Sequence, residues 1–354
     1  MTSGISSVPP GANDGDGEAR HIGMRDVAKL AGVSIATVSR ALSEPSRVSL
    51  DMRNRVESAV RELGYIRDGA ARALSMRRSH AIGAIIPTVD NATRAGKVTS
   101  LQKRCRERGY NLILALSEYD LDLEMQQCRS LVEAGIDGLM LEGGLHDPVL
   151  YELLQKRGIA LVNTGVYDPG APHPTIGFDN RAAARRLTEH LLDLGHREIA
   201  MIAGPTGGND RATARVAGVR EALAARALPF PDRRLVERPY RVIEGRLGLR
   251  ALMASDPGIT AVVCGNDVLA GGVLIEAQAL GLSVPRDLSV AGFDDLDWAA
   301  QIPPGLTTLA LPAKEIGHLA ADYLIDALSG KSVPHAIEVE VKLILRGSTG
   351  PVPS

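Results

Sequence analysis

Residues 24–43 read Met24-Arg-Asp-Val-Ala-Lys-Leu-Ala-Gly-Val-Ser34-Ile-Ala-Thr-Val-Ser-Arg40-Ala-Leu-Ser43, and this stretch decides how the chain begins to fold. Two short helices are expected, broken at Gly32, where a positive φ would penalise any Cβ. Ser34 follows as an N-cap, accepting from the first turn of the second helix. Ala28 is small enough to let the helices cross closely. Val38 faces Val27, Leu30, Ala31 and Val33. What remains outward on the second helix is Ser34, Thr37, Ser39 and Arg40, side chains suited to phosphates and base edges in a major groove. Ile35 and Ala36 are apolar neighbours that suit thymine methyls. The alternative is a plain helical hairpin inside a larger fold, but the second helix has little on that face to bury.

Working outward, residues 49–64 carry Met52, Val56, Ala59, Val60 and Leu63 at helical spacing and complete a three-helix headpiece over 22–66. The segments Arg25-Asp-Val-Ala-Lys-Leu-Ala-Gly-Val-Ser34, Ala36-Thr-Val-Ser-Arg-Ala-Leu42, Arg47-Val-Ser49 and Glu62-Leu-Gly-Tyr65 together resemble the head of LacI-family regulators of the lactose and purine repressor type. The likeness runs on to the C-terminus, and within the family it is nearer gluconate-type repressors than the lactose repressor. It implies that Arg47 and Ser49 join the DNA-facing set. It also implies that 67–79 is a hinge helix whose Leu74 wedges into the minor groove, where an apolar side chain kinks the duplex. Relatives carry Pro-Asn before this helix; here Arg67-Asp68-Gly69 stands instead, and Gly69 weakens the first turn by roughly 0.5–1 kcal/mol.

The whole chain of 354 residues has a formal charge of −2, but the charge is unevenly spread. Residues 24–78 hold eleven Lys/Arg against six Asp/Glu, and the remainder holds 29 against 36. A head of +5 on a body of −7 is the footprint of nucleic-acid contact confined to one end. Three distant cysteines fit neither a disulfide framework nor a metal site, so reduced thiols in a cytoplasmic protein are expected. No apolar run reaches the ~20 residues of a membrane span. Residues 1–21, rich in Gly, Ser, Pro and Asp, read as a disordered tail without a signal peptide's apolar segment.

From residue 80 onward, apolar runs at 82–86, 111–116, 138–141, 159–162, 199–202, 261–264 and 288–291 alternate with helical stretches at 97–108, 181–194, 216–226, 243–254 and 269–280. Strands apolar on both faces, alternating with helices, predict parallel sheets covered on either side. There are too many units for one sheet, so the expectation is two doubly wound sheets forming an α/β core. The resemblance implies a two-lobed, periplasmic-binding-protein-like core. Lobe 1 would take 80–178 and 309–333, and lobe 2 would take 179–308 and 334–354.

Ligands in such folds sit at the carboxyl ends of strands. Asp294, Asn266 and Asn163 follow predicted strands there, and Arg215 opens the helix after 199–202. The resemblance implies that Asp294, Asn266 and Arg215 bind effector polar groups, with Tyr240 and Phe178 as aromatic walls. Amide, carboxylate and guanidinium beside an aromatic face suit a sugar. Plainer roles stand beside these: Asp294 as a helix cap, Arg215 in a surface ion pair, Tyr240 in a surface loop, Trp298 in packing. Where relatives carry aromatics, this chain has Thr93 and Arg94, and Arg211 lies in the loop before Arg215. Two arginines at a cleft favour a sugar acid, unless Arg94 turns to solvent.

An enzyme on a doubly wound fold is the first rival. Gly330-Lys-Ser332 lacks the upstream glycine of a phosphate loop, Gly204-Pro-Thr-Gly-Gly208 is not a dinucleotide fingerprint, and no metal spacing or nucleophile elbow is present. His190 and His196 read as cations at a helix end. An architectural DNA-binding protein without an effector is the second rival, disfavoured by the polar cleft. The expectation is a homodimeric, cofactor-free transcription regulator without membrane partners, acting on a near-palindromic operator under control of a small sugar or sugar acid.

Overall fold

The computed structural model describes residues 22–66, 78–90 and 92–352. The expected tail and almost all of the hinge segment, Leu74 included, lie outside the described residues. The chain divides into two units, residues 1–78 and 79–354.

In the first unit, α1 (Met24–Ala31), α2 (Ile35–Ser43) and α3 (Leu50–Leu63) surround Val27, Val38 and Val56, all fully buried. Gly32 takes φ +63° and turns the chain out of α1. Arg55 of α3 reaches back to cap that helix end, donating to the carbonyls of Ala31 at 2.6 Å and Gly32 at 3.0 Å. Ser34 Oγ accepts from Thr37 N at 3.1 Å, so the second helix starts where its cap residue dictates.

The second unit holds two six-stranded sheets. The first runs β11-β5-β4-β3-β1-β2, built from Ala81–Ile86 (β1), Asn111–Leu116 (β2), Gly138–Glu142 (β3), Ala160–Thr164 (β4), Thr175–Gly177 (β5) and Ala336–Glu338 (β11). The second runs β12-β10-β9-β8-β6-β7, from Ile199–Ala203 (β6), Leu235–Glu237 (β7), Ala261–Cys264 (β8), Ser289–Asp294 (β9), Thr307–Ala310 (β10) and Lys342–Ile344 (β12). Every pairing is parallel except β12 against β10. Central strands such as β1, β6, β8 and β9 are buried throughout, which is why their sequences are unbroken apolar runs.

Two expected lobe boundaries move. Thr308 lies inside β10, hydrogen-bonded between β9 and β12, so the second crossing falls after Ala310. Pro334 precedes β11, which pairs with β5 in the first sheet, so the third crossing falls between Glu338 and Lys342. After the second crossing, α11 (Ala313–Leu328) packs on α4 (Ala92–Glu107), part of the first lobe.

The C-terminal segment is stitched beneath β9. Ser348 Oγ donates to Val290 O and accepts from Thr307 N, while Arg346 donates to Asp295 and Leu306 O. His196 is enclosed by Thr260, Ser289 and Gly350 O, and burial lowers its pKa, so it is a neutral core residue rather than the expected helix-end cation.

Candidate effector cleft and nucleic-acid interface

On the headpiece, Ser34, Ile35, Ala36 and Arg40 are exposed, Thr37 and Ser39 half-buried, on the side of α2 opposite Val38 and Ala41. Ser34 and Thr37 hydroxyls lie 2.9 Å apart and fix each other's rotamers. Arg40 has no side-chain partner among the described residues. Arg47 pairs with Glu44 at 2.8 Å, and since both are well exposed the pair is weak. Ser49 precedes α3 as its N-cap without a side-chain cap bond.

In the second unit a cavity opens between the lobes, where strand ends and helix starts meet. Thr93, Arg94, Phe178, Arg211, Arg215, Tyr240, Asn266 and Asp294 all line it. Asn163 instead lines a neighbouring cavity of about 460 Å³, its Nδ2 donating to Tyr151 Oη at 2.9 Å. Trp298 packs over Gly271 and does not line the central cavity.

Arg215 sits in α8 (Asp210–Ala225) and is 8% exposed. It donates to Asn180 Oδ1 at 3.0 Å and Gly265 O at 2.7 Å, with its guanidinium 3.9 Å from the centre of the Phe293 ring. It is therefore no surface ion pair, and burial lowers its pKa. Arg211 belongs to the first turn of the same helix, not to a loop. Asn209 Oδ1 caps α8, which starts at Asp210 rather than at the expected 216, putting Arg211 and Arg215 on one face at i, i+4.

Asp294 ends β9 with φ +131° and Asp295 follows at +57°, conformations that cost an L residue about 1–3 kcal/mol each. The helical turn that follows starts at Asp297 with Leu296 as its N-cap, so Asp294 does not cap it. Below lies Asp267, fully buried, its oxygens accepting from Thr308 Oγ1 at 2.6 Å and Leu296 N at 2.9 Å. Burial first, and then the charge of Asp294, push Asp267 up to about 7.

Arg94 faces the cavity rather than solvent, donating to Tyr119 Oη, with the Tyr119 and Tyr240 rings 5.4 and 5.9 Å from its guanidinium. Asn209 Nδ2 lies 3.5 Å from Tyr240 Oη, which fixes that ring as a wall of the cleft.

Two further residues of the cavity were not expected from the sequence. Lys97 Nζ is 2.5 Å from Glu142 Oε2, and both side chains are almost wholly buried. Burial alone would raise Glu142, but Lys97, Arg211 and Arg94 hold it at about 2. Glu142 follows an apolar strand just as Asp294 does, and Lys97 is one helical turn from Arg94. Both signals were present in the sequence. Among the described residues, no group of three or more His, Cys, Asp or Glu could hold a metal.

Comparison with known proteins places this architecture. The family described as bacterial regulatory proteins, lacI family, matches residues 23–68, and the periplasmic binding protein-like domain matches 188–349. The transcriptional repressor PurR of Escherichia fergusonii is 31% identical over 93% of this chain and 97% of its own length. The transcriptional regulator GntR of Escherichia coli K12 is 32% identical over 92% of this chain and 98% of its own. The chain belongs to the LacI family. A crystal structure of the lac repressor dimer bound to operator and the anti-inducer ONPF superimposes with a TM-score of 0.83 at 26% identity, covering 94% of this chain and all of the other.

LacI-family members are ligand-responsive, DNA-binding transcriptional repressors, and the two relatives are a transcriptional repressor and a transcriptional regulator rather than enzymes. Among the described residues no helix is long and apolar enough to cross a membrane.

Proposed function

We propose that this LacI-family repressor works in the cytoplasm as a homodimer on a near-palindromic operator, released or retained by a small sugar or sugar acid in the interlobe cleft. The observation that carries the reading is the cavity itself. Guanidinium, amide and carboxylate groups converge there beside the half-buried face of Tyr240 and the apolar edge of Phe178. Thr93, Arg94, Arg211, Arg215, Asn266 and Asp294 would bind the effector, and Asn163 would act from the adjoining cavity. Arg94 and Arg211 favour an acid over a neutral sugar.

On the DNA side, Ser34, Ile35, Ala36, Thr37, Ser39 and Arg40 would face the major groove and Arg47 and Ser49 its phosphates. Leu74 would enter the minor groove. The similarity to an operator-bound repressor dimer supports the dimeric reading.

The test pairs two measurements on the purified chain: thermal stabilisation by sugars and sugar acids, and affinity for DNA selected from random sequence. The expected result is a ligand that raises Tm and also changes DNA affinity at least fivefold, the range of an allosteric coupling. A ligand that stabilises the protein without altering DNA binding would remove the regulatory half of the proposal. Selected DNA without dyad symmetry would remove the dimer.

A further inference from the structure

We infer that the effector of this cleft carries two negative charges on a polyhydroxyl frame, a deepening that rests on the sugar-acid reading above. The cavity wall holds four cationic side chains, Arg94, Lys97, Arg211 and Arg215, against two carboxylates, Glu142 and Asp294. Lys97 is 4% exposed, Arg211 7% and Arg215 8%, so solvent screens this excess poorly.

Two more carboxylates stand outside the wall. Asp210, paired with Arg211 at 2.8 Å, is more than a quarter exposed at the rim and is screened by water. Asp267 has both oxygens committed to Thr308 and Leu296. Neither answers the charge of Arg215, whose direct partners are an amide oxygen, a carbonyl and an aromatic ring.

A second observation points the same way. Asn266 Oδ1 is fixed by its bond from Leu269 N at 2.9 Å as the cap of α10 (Asp267–Ala279), which settles the orientation of the amide. Its Nδ2 is left as a donor with no partner, on a side chain 2% exposed at the cavity wall. A buried amide donor is costly to leave without an acceptor. Four long helices, α4, α8, α10 and α11, also begin at this cavity and direct their positive ends into it. The site is thus rich in donors and positive potential. Glu142 is engaged by Lys97, and Asp294 is the other carboxylate on the wall.

The dianion has two chemical sources, a phosphate monoester or a pair of carboxylates, and the experiment separates them. Glucose, gluconate, glucarate and glucose 6-phosphate, with their galacto counterparts, are titrated into the full chain at matched ionic strength. Inorganic phosphate is the charge-only probe. The expected result is that glucarate or glucose 6-phosphate, or its galacto counterpart, binds at least tenfold more tightly than the aldonate and the neutral hexose. That preference should collapse in Arg94→Gln and return in Arg94→Lys. Neutral hexose or aldonate binding as tightly as both dianions overturns the inference and leaves the sugar reading standing. If no sugar binds but phosphate raises Tm in the wild type and not in Arg94→Gln, the dianion stands and the polyhydroxyl reading falls. If neither occurs, both fall.

Discussion

Arg211 and Glu142 meet across the cleft from opposite lobes: Arg211 Nη1 donates to the Glu142 carbonyl at 3.0 Å, and its Nε lies 3.8 Å from the Glu142 carboxylate. Beside them Asp210 accepts from Gly144 N at 2.7 Å. Consecutive residues of one helix therefore clasp the loop after β3. The clasp leaves a cavity of about 60 Å³, room for about four to six waters. A six-carbon effector therefore requires the clasp to slacken or Arg94 to swing aside.

Gly143 is the point at which this clasp can be broken by one methyl group. Its φ is +101°, and a Cβ there would fall 2.0 Å from Arg211 Nη1 and 2.7 Å from Asp210 Oδ1. Gly143→Ala is expected to cost about 1–3 kcal/mol and to shift the lobes apart. Small-angle scattering should show a larger radius of gyration than wild type. An unchanged radius with an unchanged Tm would mean the clasp contributes nothing to closure.

Asp267 gives a pH dependence of defined sign. Its folded pKa of about 7 is above the ordinary aspartate value, so between about pH 4 and pH 7 the folded state binds a proton that the unfolded state has lost. Stability from this group is full below pH 4 and falls as pH rises, by up to about 1.4 kcal/mol per pH unit, levelling above 7. Asp267→Asn should remove this contribution. Denaturant melts of both proteins at pH 5 and pH 7.5 should show the variant losing less stability over that interval. Parallel losses would mean Asp267 is ionised throughout.

Arg40 offers the base-reading test. Exposed on α2, Arg40→Ala should cost roughly 1–3 kcal/mol at the preferred half-site and relax discrimination there. An equal loss on every DNA sequence would reassign Arg40 to a phosphate.

The charge division supports a fourth expectation. A chain beginning at Ile82 should keep effector binding and lose operator binding. For the full chain, log affinity should fall with log salt by about 0.9 for each phosphate neutralised. Operator binding by the shortened chain would move the interface to the core.

The headpiece was legible in the sequence because its signals are local: Gly32, the Ser34 cap and the Val38 anchor all act within about ten residues. The buried strands were legible because burial on both faces writes an unbroken apolar run. The strands β5, β7, β11 and β12 were not, being three residues each, too short for any period, and neither was β10, which opens on two threonines. Lys97 was lost through an element boundary. With the helix expected to start at 97 instead of 92, Arg94 and Lys97 no longer share a turn. Glu142 stood directly after its expected strand, as Asn163 did after its own, and was passed over although the same rule placed it at the cleft. Asn163 was placed by the same rule as Asp294, but β4 runs on to Thr164, so Asn163 is not its terminal residue.

The stitching of Arg346, Ser348 and Gly350 beneath β9 also dictates an order of events during synthesis. Asp295, and with it the strained turn that presents Asp294, is held by Arg346, some fifty residues downstream. A ribosome-bound chain can complete its DNA-binding helices when barely a fifth has emerged. Its sensing lobe must wait for nearly the last residues. A nascent chain therefore holds its headpiece helices complete long before the turn that presents Asp294 is pinned in place.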